Sequence, residues 1–451
     1  MSISGHVVKS TVVGALGGLL FGFDTAVISG TTQALTSQFH LSPGMLGFTV
    51  ASALWGTVLG AITAGIPGQK YGRRDSLRVM ALFYVISAIG CAFAWNIESL
   101  IVFRFIGGLG IGGSSVLGPM YIAEIAPPRW RGRLVGFFQV NIVIGILLAY
   151  ISNYLIGTMH LGLVEWRWQL GVSAVPALLF MIMLFAIPRS PRWLTTQSRL
   201  SEAYDVLVLT GVEDPQKELD EIRKSLHLES GAKEDSLWSR QYRLPVFLAL
   251  TVGAFCQLTG INAVLYYLND IFALAGASNL SGSLQAVAVG ATNLVATLLA
   301  MSVIDKLGRK KLLLFGTVGL AVCLSVIGYV FLTHSHLNWL VWLLMAYVAL
   351  FAVSHGAVVW VYISEVFPNR VRAKGQSLGS SSHWVSNAII SLIFPIFAKS
   401  SGSAPFIFFA VMMVLDFFIV LFYYPETAGV SLEQMQLRIE SIESTSEKIT
   451  R

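Results

Sequence analysis

Apolar residues run through this chain in long unbroken blocks instead of alternating with polar ones. Each block is long enough to cross the ~30 Å hydrocarbon layer of a bilayer as a helix. They fall near 11–34, 46–66, 77–95, 99–123, 134–157 and 168–187, and again near 244–275, 284–304, 311–332, 338–366, 375–398 and 404–424. The pattern predicts an all-α membrane protein with twelve transmembrane helices. Between the sixth and seventh blocks lies a polar stretch that includes Glu202, Asp205, Glu213, Asp214, Lys217, Glu218, Asp220, Glu221, Arg223 and Lys224, and reads as a partly helical connector. The organisation expected is an N-terminal six-helix half at 1–190, a linker at 191–243, a C-terminal six-helix half at 244–424 and a tail at 425–451.

Composition agrees with that setting. The chain is 55% hydrophobic and 12% charged, where soluble domains carry roughly 25% charge. Its net charge of +6 does not point to nucleic acid, because the cations sit in short clusters between apolar blocks and not along one face. Lys70, Arg73, Arg74 and Arg78 form one cluster, Arg129, Arg131 and Arg133 a second, Lys306, Arg309, Lys310 and Lys311 a third, and Arg370, Arg372 and Lys374 a fourth. The intervening loops near 35–45, 96–98, 276–283 and 333–337 contain no Lys or Arg. By the positive-inside rule, both termini and the connector are cytoplasmic. Cys91, Cys256 and Cys323 each lie inside an apolar block, so no disulfide or metal framework is readable. The first block is too long for a signal h-region and lacks a small-residue cleavage site, so no cleavable signal is expected.

One carboxylate stands out. Asp24 sits inside the glycine-rich run Leu16-Gly17-Gly18-Leu19-Leu20-Phe21-Gly22-Phe23-Asp24, and an ionisable side chain at membrane depth marks a functional site or an obligatory ion pair. The two readings are a permanent structural pair and a titrating group that carries a proton. Arg104 is the candidate partner. At ~1.5 Å per residue, Asp24 lies ~20 Å above the start of the first span and Arg104 ~28 Å above the end of the fourth, within reach of a long side chain. Burial disfavours an ionised carboxylate and an adjacent guanidinium favours it, so a conformational change that alternates the two would load and release a proton.

The chain also repeats itself. Tyr71-Gly72-Arg73-Arg74 after the second span is echoed by Leu307-Gly308-Arg309-Lys310 after the eighth, and Glu124-x-x-Pro127-x-x-x-Arg131 after the fourth by Glu365-x-x-Pro368-x-x-x-Arg372 after the tenth. Two related six-span halves are a transporter architecture in which substrate binds near the midplane where the halves meet. At a comparable offset, Gly22-Phe23-Asp24 meets Gly260-Ile261-Asn262. The charged loop motifs supply ion pairs and helix-end contacts that act as a latch for one of two states; simple positive-inside topology accounts equally well for any single arginine. Gly72 and Gly308 read as tight turns between spans.

Taken together, these motifs resemble the sugar porters of the major facilitator superfamily over essentially the whole chain. The residues that carry the resemblance include Gly17-Gly18-x-x-Phe21-Gly22-Phe23-Asp24, Arg104-x-x-Gly107-Gly108, Trp166-Arg167-Trp168, Pro188-Arg189-Ser190-Pro191-Arg192-Trp193, Gln257-x-x-Gly260-Ile261-Asn262, Asp305-x-x-Gly308-Arg309-Lys310 and Pro425-Glu426-Thr427. The resemblance implies a sugar site of Gln139, Gln257, Asn262 and Asn293 with the aromatics Trp360 and Trp384, lined also by Phe21, Tyr266 and Gly356. Side-chain amides suit sugar hydroxyls, which both donate and accept, and aromatic faces suit the C–H faces of the ring. It also implies that Arg73, Glu124, Arg131, Asp305, Arg309, Glu365 and Arg372 gate the cytoplasmic side.

Several departures from the family pattern bear on function. Cys256 stands before Gln257 where the family has a second Gln. His383 precedes Trp384 where it has Gln or Asn, and Asn387 one turn on is a candidate to take over. Span ten reads Ser354-His355-Gly356-Ala357, without the proline that often follows the glycine, so a weaker bend is expected there. Arg189 replaces a Glu and Gln69 a loop Asp. Asp24 matches the proton-coupled members, whereas facilitative glucose carriers have Asn. Ile146, seven residues after Gln139, matches glucose carriers and not xylose symporters. Asp416 matches no family role and reads as packing or as a solvated cavity position.

The implied function is proton-coupled symport of a monosaccharide by alternating access, with a hexose such as glucose favoured and a xylose-type pentose possible. The alternatives are facilitative uniport, a non-transporting sensor, which the short tail disfavours, and a drug exporter, which the amide cluster disfavours. An enzyme would need a nucleophile, a metal cluster or paired carboxylates, and the chain has no His-Glu-x-x-His, Gly-x-Ser-x-Gly or Walker glycine loop. The partners expected are a monosaccharide, protons and the lipid bilayer of the cell inner membrane. No cofactor, metal or nucleic acid is expected, and the chain is expected to work as a monomer.

Overall fold

The computed structural model describes residues 4–127, 129–231, 236–368 and 371–428. Among the described residues the regular structure is helical and there is no strand. Among the described residues, twelve helices are long and apolar enough to cross a membrane: Gly5–Gly30, Pro43–Lys70, Arg73–Ala92, Ile97–Ile125, Arg131–Gly157 and Gly162–Met183, then Arg240–Tyr266, Ser281–Ile304, Arg309–Thr333, Leu337–Glu365, Lys374–Ser400 and Ala404–Tyr423. Numbered one to twelve in this order, each falls on a block that the apolar pattern marks out. Many of their side chains are large, apolar and exposed, such as Ile62, Leu179, Phe315 and Phe422, which is the surface a helix presents to lipid.

The residues group into two compact units, Met1–Phe39 with Ser52–Lys233, and His40–Ala51 with Glu234–Arg451. Most of the polar connector therefore clusters with the first unit. Its helices Pro191–Thr196, Leu200–Leu209 and Pro215–Gly231 close over a small core of Trp193, Leu194, Ala203, Leu207 and Leu219. Trp193 anchors it by donating its indole N–H to the Gln69 carbonyl at 2.8 Å.

Within the first unit, spans one and five touch backbone to backbone. A Cβ on Gly22 would lie 1.8 Å from the Ile142 carbonyl oxygen, and one on Gly145 would lie 2.0 Å from that of Leu19. Small residues permit such contact, and close packing of this kind replaces the hydrophobic effect as the glue between helices in lipid. The repeated loop motif is a repeated backbone geometry: Gly72 before span three has φ +91° and ψ 157°, and Gly308 before span nine has φ +88° and ψ 157°. That region of backbone space is essentially restricted to glycine.

Two spans of the second unit are broken. Span seven stops at Leu258, turns through Gly260 at φ +85° and resumes as Ile261–Tyr266. Span ten is interrupted at Ser354, with φ −109° and ψ −96°, so that Leu340–Val353 and His355–Glu365 are separate helices. The weaker bend expected in span ten for want of a proline is thus not what forms. The helix breaks outright, held by a serine and by packing described below.

Candidate functional site

The break in span seven places its amides. Thr259 donates from Oγ1 to the Cys256 carbonyl at 2.8 Å and accepts from the Ile261 N–H at 3.2 Å, while Tyr347 donates its hydroxyl to the Thr259 carbonyl at 2.8 Å. Backbone groups freed by the break are thereby satisfied inside the protein, as membrane depth requires. Gly260 is needed at the turn, since a Cβ there would press to 2.4 Å from the Phe409 ring. Gln257 on one side and Asn262 on the other then face each other, and the Asn262 amide donates to Gln257 Oε1 at 3.0 Å.

Span eleven supplies the next members. Gln257 Nε2 lies 2.7 Å from His383 Nε2. Because Gln257 spends its oxygen on Asn262, its NH₂ donates and the imidazole accepts, which places the His383 proton on Nδ1. The ring sits 4.7 Å from Trp360 and 5.3 Å from Trp384, centroid to centroid. One turn on, the Asn387 amide donates to the Tyr266 hydroxyl at 3.1 Å, and Ser391 donates to Asn387 Oδ1 at 3.2 Å. Spans seven, ten and eleven therefore bring Gln257, Asn262, Tyr266, Trp360, His383, Trp384 and Asn387 into one polar and aromatic cluster.

Trp360 is the exposed member of this cluster, whereas Trp384, His383 and Asn387 are buried. Gly356 lies on the same half-helix as Trp360. Asn293 is buried on span eight and, among the described residues, makes no hydrogen bond to the cluster. Cys256 packs into the apolar core with Ala249 and Val252, so the thiol in place of an amide lies off the hydrogen-bonded chain. Ser391 is a member that the family motifs did not single out; its spacing of one helical turn from Asn387 was the available signal. Phe21, Gln139 and Ile146 belong to the first unit, where Ile146 is buried and the other two are half-buried.

In the first unit Asp24 and Arg104 meet, as the reach along spans one and four predicts. Arg104 Nη2 lies 3.9 Å from Asp24 Oδ2, with 3% of the arginine side chain and 23% of the aspartate side chain exposed. The contact is loose. Arg104 Nε has no hydrogen-bond partner among the described residues, whereas the loop pair Arg73–Glu124 closes to 2.8 Å. The aspartate side chain is partly exposed and the guanidinium beside it is buried.

The loop residues pair differently from the order of their motifs. Glu124 takes Arg73 at 2.8 Å and Glu365 takes Arg309 at 3.1 Å, so each glutamate reaches the arginine of the other motif of its half. Arg131 is exposed and makes no ion pair among the described residues. Arg372 donates from Nε to the Phe367 carbonyl at 3.3 Å, and the Asp305 side chain lies outside the described residues. Glu426 caps span nine, accepting from the N–H groups of Arg309 at 2.8 Å and Lys310 at 3.2 Å, a favourable place for an anion. Arg189 joins Arg74 and Arg78 around Asp75.

Residues 10–438 match the family model described as Sugar (and other) transporter. The chain belongs to that family. It is a sugar porter of the major facilitator superfamily, a multi-pass transporter and not an enzyme. It is 35% identical over 471 residues to the D-xylose-proton symporter of Escherichia coli strain K12, covering 96% of each chain. It is 36% identical over 440 residues to the arabinose-proton symporter of Bacillus subtilis strain 168, covering 96% of this chain and 95% of the relative. Among solved structures, a partially occluded inward-open conformation of the E. coli xylose transporter superposes with a TM-score of 0.85 at 34% identity, over 95% of this chain and 100% of that one.

Proposed function

We propose that this sugar porter carries a monosaccharide and a proton together across the cell membrane by alternating access. The observation that carries the reading is the coexistence of two separate assemblies, the His383–Gln257–Asn262 chain beside Trp360 and the loose Asp24–Arg104 pair. Amides and an imidazole that donate and accept at one place suit vicinal hydroxyls, and the indole faces suit the ring. A carboxylate held near, but not locked to, a guanidinium suits a group that must gain and lose a proton in each cycle. Kinship with relatives named as xylose and arabinose proton symporters supports the same reading.

In this scheme the candidate sugar-binding residues are Gln257, Asn262, Tyr266, Asn293, Gly356, Trp360, His383, Trp384 and Asn387, together with Phe21, Gln139 and Ile146, which the family resemblance implies. Asp24 loads the proton from outside when Arg104 is disengaged, and the restored pair expels it. Arg73, Glu124, Arg131, Asp305, Arg309, Glu365 and Arg372 latch the cytoplasmic side, where the termini and connector lie. Ile146, which matches the glucose carriers of the family and not its xylose symporters, supports a hexose such as glucose over a pentose.

The test is uptake of D-glucose and D-xylose by the purified chain in sealed proteoliposomes, with and without an imposed pH gradient. Accumulation above equilibrium that tracks the gradient is expected. Transport at a rate and to a level indifferent to the gradient would replace symport by uniport.

A further inference from the structure

Outside the assemblies already described, the second unit buries a second ionisable pair. His355 Nε2 lies 2.8 Å from Asp416 Oδ2, with 1% and 2% of the two side chains exposed. Asp416 is therefore not the solvated cavity position that the sequence allowed. Its imidazole partner is the first residue of the half-helix His355–Glu365, at the point where span ten is broken.

The break has no proline to cause it. At Ser354 the hydroxyl donates to the Leu350 carbonyl at 2.6 Å and lies 3.3 Å from His355 Nδ1. The bulge fits against span nine only because residue 316 is glycine, where a Cβ would come within 2.1 Å of the serine hydroxyl. Nothing in such a break fixes the direction in which the next helix leaves. The tie from His355 to span twelve acts at the first residue after the interruption, while Tyr362, donating its hydroxyl to the Pro425 carbonyl at 3.2 Å, holds the far part of the half-helix. Five residues later the same half-helix carries Trp360, whose indole packs on His383 and through it on the Gln257–Asn262 amides.

A buried pair of this kind adds little net stability over an apolar pair of similar volume, and its best-attested use is to select one arrangement among several. We propose that His355 and Asp416 are positioning residues that set the half-helix His355–Glu365, and thereby hold Trp360 in register with the amide cluster for sugar binding. This rests on Trp360 being part of the sugar site.

The experiment is a double-mutant cycle on equilibrium binding of radiolabelled D-glucose and D-xylose to the purified full chain, using Asp416→Ala, Trp360→Ala and their combination. Asp416→Ala is expected to weaken binding about tenfold, the scale set by orphaning a buried hydrogen-bonded partner, while Asp416→Asn, which keeps an acceptor for the ring N–H, restores it. The effect of Asp416→Ala is expected to vanish in the Trp360→Ala background, which a merely structural role would not produce. Should Asp416→Ala fail to fold, the cycle is run with His355→Phe/Asp416→Leu, which removes both partners and leaves no orphaned charge. Weaker binding in Trp360→Ala with wild-type binding in the Asp416 variant, or effects that simply add, would overturn the positioning role alone. Equal binding by wild type and Trp360→Ala would overturn the site assignment and the positioning role with it.

Discussion

Arg104 holds its guanidinium 3.9 Å from the Asp24 carboxylate, close enough to feel the charge and too far for a good hydrogen bond. A permanent structural pair in a membrane gains most from short, bidentate contact, and this pair forgoes it. Replacing Asp24 with Asn keeps the size of the side chain and removes its ability to ionise. Asp24→Asn is expected to retain sugar counterflow in proteoliposomes and to lose accumulation driven by a pH gradient. Unchanged accumulation would remove the proton-carrier assignment and leave Asp24 a structural residue.

His383 is defined by what it accepts. Gln257 donates to it, so an acceptor must stand there for the amide to keep its oxygen turned towards Asn262. His383→Gln supplies a carbonyl oxygen at similar reach, and its half-saturation constant for sugar should stay near wild type. His383→Leu orphans a buried amide at a cost of about 1–3 kcal/mol, which predicts about tenfold weaker sugar binding. Equal binding by the two variants, read by equilibrium binding, would show that the imidazole is packing and not part of the amide chain.

The twelve spans were legible because a lipid-facing helix must be apolar over its whole length, a signal that local packing cannot blur. The Asp24–Arg104 contact was legible for a related reason: charge at that depth is rare enough for its partner to be sought by counting turns. The His355–Asp416 tie was not, since an aspartate in span twelve and a histidine in span ten become partners only when the two helices pack. Nor was the manner of the span-ten break. Proline is one cause of a kink, and here Ser354 lodged against Gly316 serves instead. The loop pairings were not legible either, because Glu124 and Glu365 reach arginines, Arg73 and Arg309, that lie in another motif and far off in the sequence.

The two loop glycines make a sharper stability prediction than any span residue. Gly72 and Gly308 occupy φ +91° and +88°, and alanine at such an angle costs about 1–3 kcal/mol. At Gly72 the added Cβ would also meet the Trp193 ring at 2.9 Å, and at Gly308 the Glu426 carboxylate at 2.5 Å. Each single Gly→Ala variant is expected to lower the thermal unfolding midpoint of the purified protein, whereas Gly5→Ala, with nothing within 4 Å, should leave it in place. Equal midpoints for Gly72→Ala and Gly5→Ala would mean that the turn relaxes into another conformation.

Glu365 separates a latch from a simple anchor. It takes Arg309 at 3.1 Å and accepts from Thr427 Oγ1 at 2.6 Å, so it ties the start of span nine and the segment after span twelve to the end of span ten. With 10% and 26% of the two side chains exposed, the ion pair contributes about 1 kcal/mol or less, which is up to about a fivefold shift between two states. Glu365→Gln removes the charge and can keep the bond from Thr427. If the pair exists in only one access state, this variant should alter the maximal rate of sugar exchange by up to that factor while leaving equilibrium sugar affinity at the amide cluster unchanged, and Glu124→Gln should do the same through Arg73. An anchor present in both states would cancel between them. Unmoved exchange rates together with a lowered unfolding midpoint would therefore assign these pairs to stability, and affinity that fell with the rate would instead tie the loops to the sugar site.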